Sequence, residues 1–178
     1  MFTRTTRLRS RIVAVAAAGA AVLVAVPMSA SATGSDTTTR ATASSSPTHL
    51  YNHSLFSHVN VARVSDERNA YRHNHRVHRI AHRWAEHLAS TGYLEHNPNL
   101  VAEVTRACPH WTTLGENVGV SGGTDAGRLF SAYMHSPPHR ANILDKQYTV
   151  LGIATVSVTQ NGETTQWNVM DFANHCGR

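Results

Sequence analysis

The spacing of apolar residues changes along the chain, from helical recurrence in the N-terminal two-thirds to alternation near the C-terminus. Leu55, Phe56, Val59 and Ala62 form a helical stripe within residues 50–63. Residues 65–74 are polar and read as a connection. The clearest stripe follows: Val77, Ile80, Ala81, Trp84, Ala85 and Leu88 define one buried helical face, and Gly92 is a natural stop. Pro98 opens a short helix over 99–104, with Leu100, Val101 and Val104 inward. Residues 108–113 read as a loop. Gly115-Glu116-Asn117 comes next, and Ser121-Gly122-Gly123 reads as a flexible connection. Thr124 is a fair N-cap and Asp125 suits the first turn of a helix running to about His135, which Pro137-Pro138 would end. From Tyr148 the period shortens to two. Residues 150–159 are rich in β-branched side chains, Asn161-Gly162 is a hairpin turn signal, and 164–173 reads as the partner strand. Helices first and a hairpin last predict an α+β fold, an antiparallel sheet covered by helices.

The first 32 residues stand apart from this pattern. Arg4, Arg7, Arg9 and Arg11 precede an uncharged Ala/Val-rich run over 12–26, and both Met28-Ser29-Ala30 and Ala30-Ser31-Ala32 fit a small-x-small cleavage site. This is the composition of a secretory signal peptide, and the run is short for a membrane span. An extracellular protein with no transmembrane span after cleavage is therefore expected. Residues 33–49 are Ser/Thr-rich and cannot bury enough surface to offset ordering, so a disordered spacer is expected there. Residues 50–178 then make one domain.

Removing the leader changes the charge balance. The chain has 16 Lys plus Arg against 11 Asp plus Glu, and four Arg leave with the signal, so 16 − 4 = 12 face 11. The remainder is near neutral, which gives no support to a nucleic-acid partner. The 13 histidines are the unusual feature, since they would make the protein cationic as pH falls through about 6–7. Two cysteines, Cys108 and Cys176, in an exported chain favour one disulfide, with free thiols or metal ligands as the alternatives.

Candidate chemistry centres on histidine. His75, His78 and His82 cluster beside the apolar stripe of the clearest helix, with His78 and His82 four apart. Such a pair can bind a transition metal, although a solvated polar shoulder is the commoner role. There is no His-Glu-x-x-His, and the inverted form ending Glu86-His87 fails because position 83 is Arg. A second set comprises His96, Glu116 and His139, each beside a turn-forming Gly or Pro. Two imidazoles and a carboxylate suffice to converge on one metal ion or one polar ligand.

The strings that carry this second set resemble a family. They are His96-Asn97-Pro98-Asn99-Leu100, Gly115-Glu116-Asn117-Val118 and Ser136-Pro137-Pro138-His139-Arg140-Ala141-Asn142-Ile143-Leu144, with Asn60-x-x-Arg63 in the first helix. Over about residues 52 to 174 the chain resembles the bacterial branch of the CAP superfamily: cysteine-rich secretory proteins, antigen 5 and pathogenesis-related 1 proteins, or SCP domains. The resemblance implies an α-β-α sandwich, a small antiparallel sheet between helical layers, with a cleft lined by two His and two acidic residues. Carried over by position, His96, Glu116 and His139 are the cleft set; by residue type two imidazoles and a carboxylate are adequate ligands for Zn²⁺, and Asn117, His135, Ser136 and Arg140 are expected as neighbouring binding residues. The second acidic residue has no counterpart near His135 and Ser136, and Tyr133 stands where Trp is usual.

The family has no settled catalytic activity, and its members are secreted binding or effector modules, several of them associated with lipids or sterols. A lipid, another small molecule or a cell-wall component is the implied partner. A metal-dependent hydrolase of peptide, ester or cell-wall substrates is one alternative, although no Gly-x-Ser-x-Gly nucleophile is present. A non-catalytic structural or cell-wall-associated protein is the other.

Overall fold

The computed structural model describes residues 46–177. The expected signal peptide over 1–32, and residues 33–45 of the expected spacer, lie outside the described residues. The elements in order are α1 (Pro47–Ser65), β1 (Arg72–His73), α2 (His75–Thr91), α3 (Leu100–Ala107), β2 (Leu114–Gly122), α4 (Ala126–His135), α5 (Pro137–Leu144), β3 (Val150–Gln160) and β4 (Glu163–Ala173). Among the described residues no helix is long and apolar enough to cross a membrane.

The strands form one four-stranded sheet in the order β1-β3-β4-β2. β3 and β4 make the hairpin predicted from Asn161-Gly162, where both residues take positive φ, 52° and 81°. β2 pairs antiparallel with β4 along its whole length. The sheet is mixed, not wholly antiparallel, because the two-residue β1 runs parallel to β3 inside the expected connection.

Each face of the sheet carries a helical layer, so the architecture is the α-β-α sandwich. On one side Leu55 and Val59 of α1, Leu129 and Tyr133 of α4, and Ile143 of α5 pack on Leu151, Ile153, Met170 and Phe172. On the other, Ala81, Ala85 and Leu88 of α2 meet Val118, Ala154 and Val169, while Val77 and Ile80 join Leu100 and Val104 of α3. The split follows the two-residue side-chain period of the strands. Gly152 lets α2 sit directly on β3, for a Cβ there would strike the backbone of Val77 and His78.

Three local expectations change. Ser121-Gly122, expected within a flexible connection, belongs to β2, as does Gly115-Glu116-Asn117, to which the apolar spacing assigns no element. Gly115 and Gly119 are tolerated there because a Cβ at either would come within 2.5 Å of a tyrosine hydroxyl, Tyr148 and Tyr133 respectively. Asp125, not Thr124, caps α4, its Oδ1 accepting from Gly127 N at 2.8 Å. Pro137-Pro138 starts α5 as well as ending α4, since a proline in the first turn lacks only an N–H that would have no intrahelical partner.

Two fixtures hold the layers near the candidate site. Cys108 and Cys176 form the expected disulfide, fastening the end of α3 to the segment after β4. Arg63 of α1 is buried, with Nη1 donating to Ile143 O at 2.7 Å and Asp145 O at 2.9 Å, Nε to Asn69 O at 2.8 Å, and its guanidinium 3.6 Å from the Tyr71 ring centre. Asn60 and Arg63 thus staple the 69–71 segment and the end of α5 to α1.

Candidate functional site

Glu116 and Asn117 are consecutive residues of β2, an edge of the sheet, so their side chains leave on opposite faces. Glu116 turns toward the α2/α3 layer. Its Oε1 accepts from His96 Nδ1 at 2.6 Å and from the Asn97 N–H at 3.0 Å. The carboxylate can only accept, which places a proton on Nδ1 of His96. Asn97 is held in turn, its Nδ2 donating to Glu103 Oε2 of α3 at 3.2 Å.

Asn117 turns the other way. It is fully buried, with Nδ2 donating to His139 O at 3.0 Å and Oδ1 accepting from Asn142 Nδ2 at 2.9 Å. Asn142 also donates to Glu116 O at 3.2 Å. The Gly-Glu-Asn and His-Arg-Ala-Asn strings are therefore bolted together, and His139 is carried on α5 to the same edge strand that carries the Glu116–His96 pair. The His139 ring meets Tyr133 edge-on at 5.2 Å. Burial, and then the proximity of His96, lowers the proton affinity of His139, which keeps the ring neutral at neutral pH. Tyr133 is itself buried, its hydroxyl donating to Asn168 Oδ1 at 2.9 Å. Burial, followed by Tyr51 and the Glu116 charge, holds that phenol protonated.

Behind Glu116 lies Asp171, absent from the sequence-based candidates. The register sets it directly opposite Glu116, and it is fully buried. Burial, and then the charges of Glu116 and Glu103, push its carboxyl well above the usual carboxylate range. Glu116 Oε2 and both Asp171 oxygens have no donor from another group among the described residues. A proton retained by Asp171 supplies the missing donor, making the two a carboxyl–carboxylate pair that reaches His96. A lone acid in the run Trp167-Asn168-Val169-Met170-Asp171-Phe172 was the available signal.

The other expected binding residues are placed differently. His135 is exposed at the end of α4, its Nδ1 2.8 Å from Ser131 O. Ser136 is the half-buried corner between α4 and α5, and Arg140 is exposed on α5. The 360 Å³ groove between α2 and α3 is lined by Arg76, Arg79, Arg83, Arg106 and Glu103, away from His139.

Glu116 does not fit as a direct metal ligand, because Oε1 already takes two donors and Oε2 faces Asp171. His96 and His139 fit as imidazole ligands, with Glu116 as the carboxylate that orients one of them. Among the described residues no three His, Cys, Asp or Glu are grouped to hold a metal ion, so two imidazoles would leave the remaining positions to water or ligand.

Solved structures share this architecture. An extracellular SCP-domain protein of Bacillus anthracis aligns with a TM-score of 0.55 and 20% identity, covering 70% of this chain and 40% of its own. An outer surface protein of Borrelia burgdorferi aligns with a TM-score of 0.58 and 14% identity over 72% of this chain and 95% of its own. A cysteine-rich secretory protein of Staphylococcus aureus gives a TM-score of 0.54 and 18% identity over 70% of this chain and 38% of its own. This chain thus spans less than half the length of two of the three. No curated protein sequence matches. The family model described as cysteine-rich secretory protein family, CAP, matches residues 56–172, and the chain belongs to that family.

Proposed function

We propose that this chain is an exported, non-catalytic CAP domain that binds a divalent metal ion, Zn²⁺ by ligand type, through His96 and His139 at the β2 edge. The ion and the surrounding cleft then form the recognition site for a lipid-like or cell-wall ligand. The observation that carries the reading is the 2.6 Å contact between His96 Nδ1 and Glu116 Oε1. A carboxylate behind an imidazole fixes the ring and raises its basicity, the usual support for a metal-binding histidine. A neutral His139 suits the same purpose, since an imidazolium has no lone pair to give. When bound, the ion would supply a Lewis-acidic contact point for an oxygen-bearing ligand. The chain's own part is to keep two rings oriented and to anchor them to a buried amide network. Export is supported by the composition of residues 1–32, and two of the structural relatives are an extracellular protein and a cysteine-rich secretory protein.

The test is zinc-dependent thermal stabilisation of a chain carrying His73→Ala, His78→Ala and His82→Ala, which removes the histidines of α2 and β1 as contributors. We expect the zinc response to vanish when His96→Ala and His139→Ala are added, and Glu116→Gln to weaken zinc binding about 10–100-fold. An undiminished response in the chain lacking both cleft histidines would sink this reading.

A further inference from the structure

A second set of histidines occupies the opposite edge of the sheet. His73 ends β1, while His75, His78 and His82 lie along α2, which begins two residues later. Their rings touch in a chain: His75 to His73 at 4.9 Å between centres, His73 to His78 at 5.3 Å, and His78 to His82 at 6.1 Å. We propose that His73 and His78 form a second transition-metal site, independent of the cleft, with His82 one turn along as a third ligand recruited by side-chain rotation.

The spacing of the ring centres is compatible with two rings sharing one ion. With a metal–nitrogen bond of about 2.0–2.1 Å and a tetrahedral angle, two imidazole centres sit about 5 Å apart. The His73–His78 separation meets that condition. His78–His82 exceeds it by an amount that rotation of an exposed ring removes. His78 is already oriented. Its Nδ1 lies 2.7 Å from Ile153 O, and a carbonyl can only accept, so Nδ1 carries the proton and Nε2 is left as the ligand atom. This is the backbone-carbonyl version of the support that Glu116 gives His96.

The scaffold beneath the pair is rigid. His73 is tied through the β1–β3 register to Leu151. The backbone at His78 rests on Gly152 too closely for a Cβ to intervene. Asn74, between the two, caps α2 with Oδ1 accepting from Arg76 N at 3.0 Å and Val77 N at 3.1 Å. Burial and then the neighbouring imidazoles lower the proton affinity of His73. Burial also dominates at His78, where His82, His75 and Arg79 lower the affinity further against the raising effect of the Ile153 bond. Both rings are therefore neutral when a metal arrives near pH 7. Arg79 opposes a dication as it opposes a proton. Glu86, 3.6 Å from His82, is the carboxylate that offsets it. Among the described residues no third donor already surrounds the same point, so His82 and water would complete the shell.

The experiment is calorimetric titration of Ni²⁺ and of Zn²⁺ into the chain carrying His96→Ala and His139→Ala. Substoichiometric Cu²⁺ broadening of the histidine ring resonances is then recorded in the unsubstituted chain. One ion should still bind the cleft-deficient chain. His73→Ala or His78→Ala should weaken it at least about tenfold, and His82→Ala by a smaller factor. Outside the cleft pair His96 and His139, the first rings to broaden should be those of His73 and His78, a readout that requires no variant to fold. No binding by the cleft-deficient chain, binding unchanged by His73→Ala with His78→Ala, or first broadening at His110 or His175 would each overturn the proposal. Loss of this site with cleft binding intact leaves the functional reading untouched. The reverse pattern overturns that reading alone.

Discussion

The two edges of the sheet carry histidines in opposite styles. At the β2 edge each ring is held by something other than a histidine: His96 by a carboxylate, and His139 through its backbone by Asn117 and through its ring by Tyr133. At the β1 edge the rings chiefly contact one another, with Phe56 edge-on to His73, Glu86 3.6 Å from the exposed His82, and the Ile153 carbonyl on His78. A carboxylate partner commits its histidine to one tautomer and adds charge to the site. A carbonyl commits the tautomer and adds none. The same residue type therefore belongs to the buried polar framework at one edge, and at the other is an outward shoulder on an amphipathic helix. Damage should consequently spread further from the β2 edge than from the β1 edge.

Glu116→Ala is the strongest way to break that contrast. It leaves the Asn97 N–H, His96 Nδ1 and the protonated Asp171 without their shared partner inside the protein. We expect a loss of about 3 kcal/mol in urea unfolding. His78→Ala removes one bond to a carbonyl at the rim and should cost about 1 kcal/mol. Equal losses would mean that the two edges are framed alike.

Asp171→Asn sharpens the comparison in the other direction. The unfolded Asp171 loses its proton near pH 4, whereas the folded one retains it to higher pH. The folded state thus binds more protons, and this residue's contribution falls as pH rises from about 4 toward the folded pKa. Asparagine keeps a donor for Glu116 Oε2 and has no proton to lose. The variant should be more stable than the unsubstituted chain at pH 7 and close to it at pH 4. Parallel stability curves for the two proteins across that range would show that Asp171 is ionised in the fold and that the shared proton is absent.

Much of the architecture was legible because its periods are clean. The α2 stripe and the hairpin after Tyr148 each follow one rule over more than two turns or several alternations. β2 was not, because Gly115 and Gly119 look like loop residues until Tyr148 and Tyr133 are seen to occupy the space their side chains would need. Pro137-Pro138 signals both a stop and a start, and only the chain beyond decides between them. At the site, the resemblance singled out His96, Glu116 and His139 together, but residue types alone made Glu116 a ligand. In the fold its Oε1 accepts from His96 Nδ1 and the Asn97 N–H, contacts that residue type does not reveal. Asp171 escaped notice because its meaning comes from a strand register: opposite any residue but an acid, it would be an isolated buried carboxyl. Asn117, expected among the binding residues, is enclosed in the amide network.

The smallest effect, and the one that treats both edges alike, is the response to acid. His139, His73 and His78 each bind a proton less readily folded than unfolded, mainly because burial disfavours the cation. The unfolded chain takes up protons near its pKa of about 6.5 while these rings resist. Their contribution is therefore fully present above that value and is lost as pH falls below it. All three remain partly open to solvent, so screening holds each contribution below about 1 kcal/mol. Thermal melts of the Asp171→Asn chain, which lacks the opposing carboxyl, should show a midpoint that falls between pH 7.5 and 5, and adding His139→Gln or His78→Gln should flatten the fall by a similar amount. A slope that only His139→Gln alters would mean that the β1-edge rings stay as hydrated as in the unfolded chain. Mutual contact alone would then be too weak to set their protonation, and the contrast between the edges would extend from structure to charge.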